Sequence, residues 1–429
     1  IDQIASLRLY DFIDVEVNEK IVNENKINFI FKVKDSEKFY VEKINILGNF
    51  NTVEEVVRNK LIVDEGDPYN KLLHNKSINE INKNEWDSLA PKNEYPFLKY
   101  EFLKLLELTG STGISSGWVP MHITLEHEDN LIAAMPLYLK NNSQGEFVFD
   151  HSWANAFYHH GINYYPKLVS SIPYTPATGP RVMIKDTYSK KDILPIILEG
   201  IKSISKSNDI SSWHILFPDD GEIASYQEND LSIRKNAQFV WFNEDYSSFD
   251  DYLDSFRARH RKNVKKERKK LSSQNLEVHH FTGADLNDEL MNNFYNFYLS
   301  TNLKRSGHEG YLSKEFFLNA PKFIADNIVL MMANEKTTKH VVGGSLFFKD
   351  KENLYGRYWG CNEEFDCLHF ECCYYQGIDF CIENNLKKFD PGVQGEHKIK
   401  RGFKPVSYTH LRAHETPEHR VWRLLLEKK

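Results

Sequence analysis

Apolar and polar positions along the chain switch between a repeat of two and a repeat near 3.6, and each switch marks an element. Lys26–Lys34 (KINFIFKVK) alternates as a half-buried strand, and Phe39–Leu47 (FYVEKINIL) as a second. Thr52–Leu61 has helical spacing, with Thr52 as N-cap and Glu55 three residues on, a capping box. Glu65-Gly66-Asp67-Pro68 then breaks the chain, and from about Ile81 its character changes. The pattern next predicts a helix over Lys99–Leu108 and strands over Trp118–Leu125, Leu131–Lys140 and Glu146–Asp150. A helix over Leu194–Lys206, with Pro195 in its first turn, and a strand over Ser212–Phe217 follow. Beyond them the predicted order is helix Phe249–Lys270, strand Glu277–Phe281, helix Asp288–Leu303 and a helical stretch Leu312–Ala325 broken at Pro321. Strands Ile328–Asn334, Val341–Phe348 and Leu354–Trp359 lead into a long helix, about Glu363–Asn385, a strand Lys388–Asp390 and a polar loop.

Strand pairs followed by helices thus occur twice, before and after about Asn243, which predicts two similar α/β halves. The chain of 429 residues, 41% hydrophobic, is long enough for two or three packed domains. Its net charge of −7 implies no global attraction to nucleic acid. No run approaches the roughly 18 apolar residues of a spanning helix. No signal peptide is visible, and the start at Ile1 rather than Met suggests a fragment or a processed form.

The densest chemistry lies in Leu354–Pro405. All five cysteines, Cys361, Cys367, Cys372, Cys373 and Cys381, fall here. An odd count confined to one element fits reduced thiols packed as small hydrophobes. Zinc, with His369 as a further ligand, is the rival reading, and the absence of C-x-x-C argues against it. Another concentration stands alone: nine of the fourteen residues from Arg257 to Lys270 are Lys or Arg, with a single Glu267. In an otherwise acidic chain this makes Arg257, Arg261, Lys262, Lys265 and Lys266 candidates for binding a polyanion, against the plainer reading of a solvated face. The aromatic stripe Phe294, Tyr295, Phe297 and Tyr298 reads as core.

Two resemblances follow from the motifs. YDFIDVEV, INFIFKV, FYVEKINILGNFNT and DEGDPYN resemble a POTRA domain of the outer-membrane β-barrel assembly family, whose members are periplasmic and bind clients by strand addition. PLYLKNNSQGEFVFDHSWANAF, YYPKL, PYTPATGPR, SSWHILFP, RARHRKNVKKERKK, LYGRYWGC, LHFECCYYQGID and GVQGEHKIKRGFKP resemble the predicted N-acyltransferases of peptidoglycan biosynthesis or recognition, GNAT-like and related to the Fem aminoacyl transferases. That resemblance implies a tandem GNAT-like α/β fold, a cytoplasmic body, and transfer of an acyl or aminoacyl group to an amine of a peptidoglycan precursor. Acyl-CoA or aminoacyl-tRNA enters as co-substrate and no cofactor stays bound. Non-catalytic recognition of a precursor or lipid is the alternative. The last 24 residues, VSYTHLRAHETPEHRVWRLLLEKK, resemble a translated library adapter. The expected division is 1–81 POTRA-like, 82–245 first half, 246–405 second half and 406–429 a non-native or disordered tail.

Amide formation needs a base for the amine, donors for the oxyanion and a grip on the carrier. In the GNAT fold the carrier pyrophosphate lies on a glycine-rich turn, and here Gly360-Cys361-Asn362-Glu363-Glu364 holds that place with two repelling carboxylates. This weakens acyl-CoA, whereas the basic helix suits the phosphates of tRNA. Glu396 and His397 in QGEHK are the candidate base, with a buried polar turn as the structural alternative. Gln394, Lys398 and Arg401 flank them as substrate ligands. Of Arg357 and Tyr358, successive on a strand, only one is expected to face the cleft. Helical spacing puts His369 on one face with Cys372, Cys373 and Gln376, and turns Glu371 about 200° away. His151, Trp153, Tyr165 and Lys167 match the motifs of the first half and are expected to line a cleft between halves.

Overall fold

The computed structural model describes residues 13–23, 26–35 and 74–414, apart from positions 129, 149, 209, 230 and 394. β1 (Ile13–Asn23) and β2 (Lys26–Asp35) form an antiparallel hairpin, the second strand falling where the alternation predicts it. The expected strand Phe39–Leu47 and helix Thr52–Leu61 lie outside the described residues.

The first half runs β3 (His74–Lys76), α1 (Lys83–Ser88), α2 (Tyr100–Leu108), β4 (Val119–Pro120), β5 (His122–His127), β6 (Asn130–Met135), β7 (Tyr138–Lys140), α3 (His151–His159), β8 (Lys167–Ser170), β9 (Met183–Ile184), α4 (Lys190–Ser207), β10 (Ser212–Leu216), α5 (Asp220–Gln227) and β11 (Ser232–Phe242). The second runs α6 (Phe249–Asp254), α7 (Ala258–Ser273), β12 (Leu276–Thr282), α8 (Asp288–Ser306), α9 (Lys314–Ile324), β13 (Ile328–Glu335), β14 (Val341–Lys349) and β15 (Asn353–Cys361). It continues through α10 (Leu368–Phe370), a π-helical segment (Glu371–Tyr375), α11 (Gln376–Glu383), β16 (Lys388–Asp390) and β17 (Lys404–His414).

Eleven strands form one sheet in the order β12-β13-β14-β15-β16-β11-β17-β10-β8-β7-β4. In each half antiparallel strands lead to one parallel pair, β15 with β16 and β8 with β10. β11 and β17 pair along nine residue pairs at the join. The predicted strand Trp118–Leu125 splits into β4 and β5, and Leu131–Lys140 splits at Pro136 into β6 and β7. Proline brings no N–H to a ladder, so both strands bend there into a second sheet, β3-β5-β6-β9.

Period-two burial explains why the strands of the second half read as continuous apolar runs. Leu330, Met332, Leu346 and Phe348 meet Phe294, Phe297 and Phe317 of α8 and α9. Val329, Met331, Phe347 and Phe389 meet Tyr375, Ile378 and Cys381 on the other face. The aromatic stripe is core, with Phe294, Phe297 and Tyr298 buried. Trp86, Phe97 and Phe102 from the α1–α2 region share the core of the second half.

Several expectations are corrected. Glu146–Asp150 is a loop, because both carboxylates turn inward onto Lys167. α4 begins at Lys190 on an Ser189 cap, so Pro195 lies inside it, and Pro321 lies inside an unbroken α9. The basic helix divides at residues 255–257. The long helix starts at Leu368 and carries a π turn. The expected disordered tail from 406 is, through His414, an interior strand with Tyr408, Thr409 and Leu411 buried. Its alternation (VSYTHL) was a legible strand signal. Residues 415–429 lie outside the described residues.

Candidate active site

β15 and β16 pair in parallel only over Asn353–Tyr355 and Lys388–Asp390. Beyond that they separate, and a cleft of about 150 Å³ opens in the gap. Its walls include Ser345, Arg357, Tyr358, Trp359, His369, Cys373, Tyr374 and Pro391. A bulge shapes one side. Leu346 opposes Tyr358 and Phe347 opposes Gly356, so Arg357 is the extra residue. A bulge interrupts the strict alternation of faces, and both Arg357 and Tyr358 border the cleft. The expectation that only one of them does is corrected for that reason.

Arg357 is held by Asp390, its terminal nitrogen donating to Oδ2 at 3.1 Å with the side chain 1% exposed. Asp390 also accepts from Gln238 at 2.6 Å and from the backbone N–H of Gly392 at 2.9 Å. One carboxylate therefore fixes the arginine, the edge of β11 and the start of the QGEHK loop. The Tyr358 hydroxyl donates to the carbonyl of Tyr174 at 3.3 Å, tying the cleft to the first half.

The loop ends in a 3-10 turn over Glu396–Arg401. Glu396 is exposed and borders no part of the cleft. The His397 ring reaches the Tyr374 hydroxyl at 2.9 Å from Nε2, and Tyr374 is a wall of the cleft. Partial burial, with Arg401 and Lys398 nearby, holds His397 below the usual imidazole range. Lys398 is buried, and its Nζ donates to the carbonyl of Gly392 at 2.7 Å. Burial lowers its pKa to about 8, partly offset by Asp390. Arg401 lies over the Phe370 ring at 3.5 Å, grips Glu267 through Nε and Nη2 and donates from Nη1 to the carbonyl of His397 at 3.0 Å. Gln394 lies outside the described residues.

His369 packs edge-on against Trp359 and Tyr374, each at 5.4 Å. Burial first, then neighbouring cations, lower its pKa to about 4, so it is neutral. Glu371 is buried elsewhere, between Arg268 at 3.0 Å and Gln376 at 2.7 Å. The π turn adds a residue to the helical circuit. Gln376 therefore meets Glu371 and His280, at 2.6 Å, and does not share the face of His369 as α-helical spacing predicts. All five cysteines are free thiols, and Cys372 and Cys381 are buried in the packing. Among the described residues no three His, Cys, Asp or Glu side chains converge as metal ligands.

The four candidates of the first half border no part of this cleft. Lys167 is fully buried, paired with Glu146 at 2.8 Å and Asp150 at 2.7 Å. Tyr165 bonds to Ser143 at 2.7 Å, Trp153 lies under Arg234 and Arg412, and His151 is exposed on α3. In this half the place beside β8 and β10 is closed. Arg181 donates there to the carbonyls of Ala177, Gly179, Pro180 and Leu216.

On the basic helix, Arg257, Lys262 and Lys266 are exposed. Arg261 and Lys265 are engaged by Asp254 at 3.2 Å and Asp250 at 2.9 Å. Sequence reasoning missed Tyr374, Asp390 and Glu267. Only Asp390 carried a signal, a carboxylate at the carboxyl end of a strand ahead of Pro-Gly.

The strand order, the paired halves and the cleft between separating parallel strands define a tandem GNAT-like α/β protein. A family model for FemAB-like proteins of peptidoglycan biosynthesis and recognition matches residues 77–425, and the chain belongs to that family. The match extends past Pro405, where the motifs placed its end. Among solved structures, FemX is 12% identical with a TM-score of 0.48, covering 80% of this chain and 98% of its own. L-PGS from Bacillus licheniformis is 10% identical with a TM-score of 0.44, covering 76% and 94%. A tandem GNAT protein of the clavulanic acid pathway is 8% identical with a TM-score of 0.38, covering 69% and 83%. Likenesses this distant carry nothing about activity. No curated protein sequence matches the chain.

Proposed function

We propose that the protein transfers an acyl or aminoacyl group to an amine, at the cleft between β15 and β16, with a peptidoglycan precursor as acceptor. The observation that carries the reading is the opening of the parallel pair beside a bulged, buried Arg357. The donor carbonyl sits in the gap. The amine lone pair attacks its carbon, a C–N bond forms, and charge collects on the carbonyl oxygen. Arg357 and the buried Lys398 supply positive charge near that oxygen, in a site where water screens little. The bond from the carbonyl carbon to its carrier then breaks, a C–O bond for aminoacyl-tRNA or a C–S bond for acyl-CoA. The amine proton passes to neutral His397 by way of Tyr374 and from there to the departing oxygen or sulfur, so the carrier leaves as its free hydroxyl or thiol and His397 returns to neutral. Glu363 and Glu364 are exposed on the turn after β15 and oppose a pyrophosphate there, which favours the tRNA-linked donor.

The test is amide formation followed by mass spectrometry, with aminoacyl-tRNA or acyl-CoA as donor and a precursor amine as acceptor. His397→Ala should lower kcat by about 10²–10⁴, whereas Glu396→Gln should change it by no more than about threefold. The reverse ranking would make Glu396 the base. Precursor binding with no product from either donor would replace transfer by recognition alone.

A further inference from the structure

We propose that α7 docks the protein on an anionic membrane surface through a stripe of cations on its outer face. Arg259, Lys262, Lys266 and Lys269 follow one another at helical spacings of three, four and three residues. At 100° per residue they fall within one face, and the stripe is about 15 Å long. All four are exposed, and none has an acidic partner among the described residues. The opposite face is fully engaged. Val264 and Leu271 are buried, Glu267 grips Arg401, and Arg268 grips Glu371 and Asp379 at 3.0 and 2.6 Å. The helix is thus fixed to the body on one side and open on the other.

Three features favour a lipid surface over a nucleic acid. Three of the four cations are lysines, point charges that suit a diffuse headgroup layer better than the forked recognition of a single phosphate. The stripe of four cations carries no Phe, Tyr or Trp ring on which a base could stack. On the turn that Arg401 ties to Glu267 of α7, Ile399 is 49% exposed next to an exposed Lys400. An exposed apolar side chain next to a cation is suited to entering a headgroup boundary. The whole chain carries −7, and the cations of α7 leave the remainder more acidic still, so an anionic bilayer attracts this face against the overall repulsion.

The test is co-sedimentation of the full chain with phosphatidylcholine vesicles, with and without phosphatidylglycerol, alongside a tRNA mobility shift. The protein should pellet only with phosphatidylglycerol, and salt should release it. Replacing Arg259, Lys262, Lys266 and Lys269 together by Gln should weaken vesicle binding about a thousandfold. Lys314→Gln with Lys322→Gln, on α9, should leave binding unchanged. Circular dichroism checks that both variants are folded. Equal vesicle binding by the wild type and the fourfold variant would overturn the proposal. So would a fourfold variant that loses tRNA binding while keeping its hold on vesicles.

Discussion

At the residue scale the site depends on a few buried ionic groups. Asp390 serves Arg357, Gln238 and Gly392 together. Asp390→Asn should therefore leave Arg357 buried and unpaired, at a cost of about 3–5 kcal/mol, seen as a lower denaturant midpoint together with lost transfer. Two titrations bear on activity. His397 must be neutral to accept a proton, so activity should rise with pH through a pKa below 6.5. Lys398 loses its charge as pH passes about 8, and a second, falling limb is expected there. Lys398→Met should abolish that falling limb in a kcat/KM profile. A further group, buried, acts on stability. Neither ring nitrogen of His410 has a hydrogen-bond partner among the described residues. Burial, then Arg234 and Arg181, lower its pKa to about 3 from 6.5. The unfolded chain takes up its proton first as pH falls, so stability should decline from about pH 6.5 toward about pH 3. His410→Val should remove that decline and add about 1–2 kcal/mol at neutral pH, read from denaturant melts at several pH values.

At the element scale, two local departures from regular geometry position the site. The bulge at Arg357 brings consecutive residues to one cleft. The π turn at Glu371–Tyr375 sends Gln376 to Glu371 and leaves His369 with the cleft. Neither is legible from spacing, because each is a single-residue slip, the bulge against the neighbouring strand and the π turn in the helix's own ladder. The approach of α8 to β15 is as demanding. A Cβ on Gly360 would lie 2.2 Å from the backbone of Phe297. Gly360→Ala should force the helix off the strand that forms the cleft wall. The expected loss is about 1–3 kcal/mol in a thermal or denaturant melt.

For the whole molecule, the join between halves is made by exchange. β11 leaves the first half to pair with β16, and β17 returns from the second to lie between β11 and β10. A chain ending at Pro405 should lose that interior strand and expose two long unpaired edges. It should appear in the insoluble fraction on expression, and recovery of a soluble monomer would contradict the assigned role of β17. Much of this architecture was written in periodicity. The apolar runs of β13 and β14, the alternation of β2 and the stripe of α8 each reflect burial that a strand or helix repeats locally. QGEHK and the basic helix stood out by composition alone. Tertiary structure alone decided which of these residues meet. It set Arg357 on Asp390 across a parallel pair, joined His397 to Tyr374, turned Glu267 inward to hold Arg401, and kept Lys167 with Glu146 and Asp150 away from the cleft. Periodicity reports which face of an element is buried. It does not report which distant element covers that face, and the chemistry of this site lies in those long-range pairings.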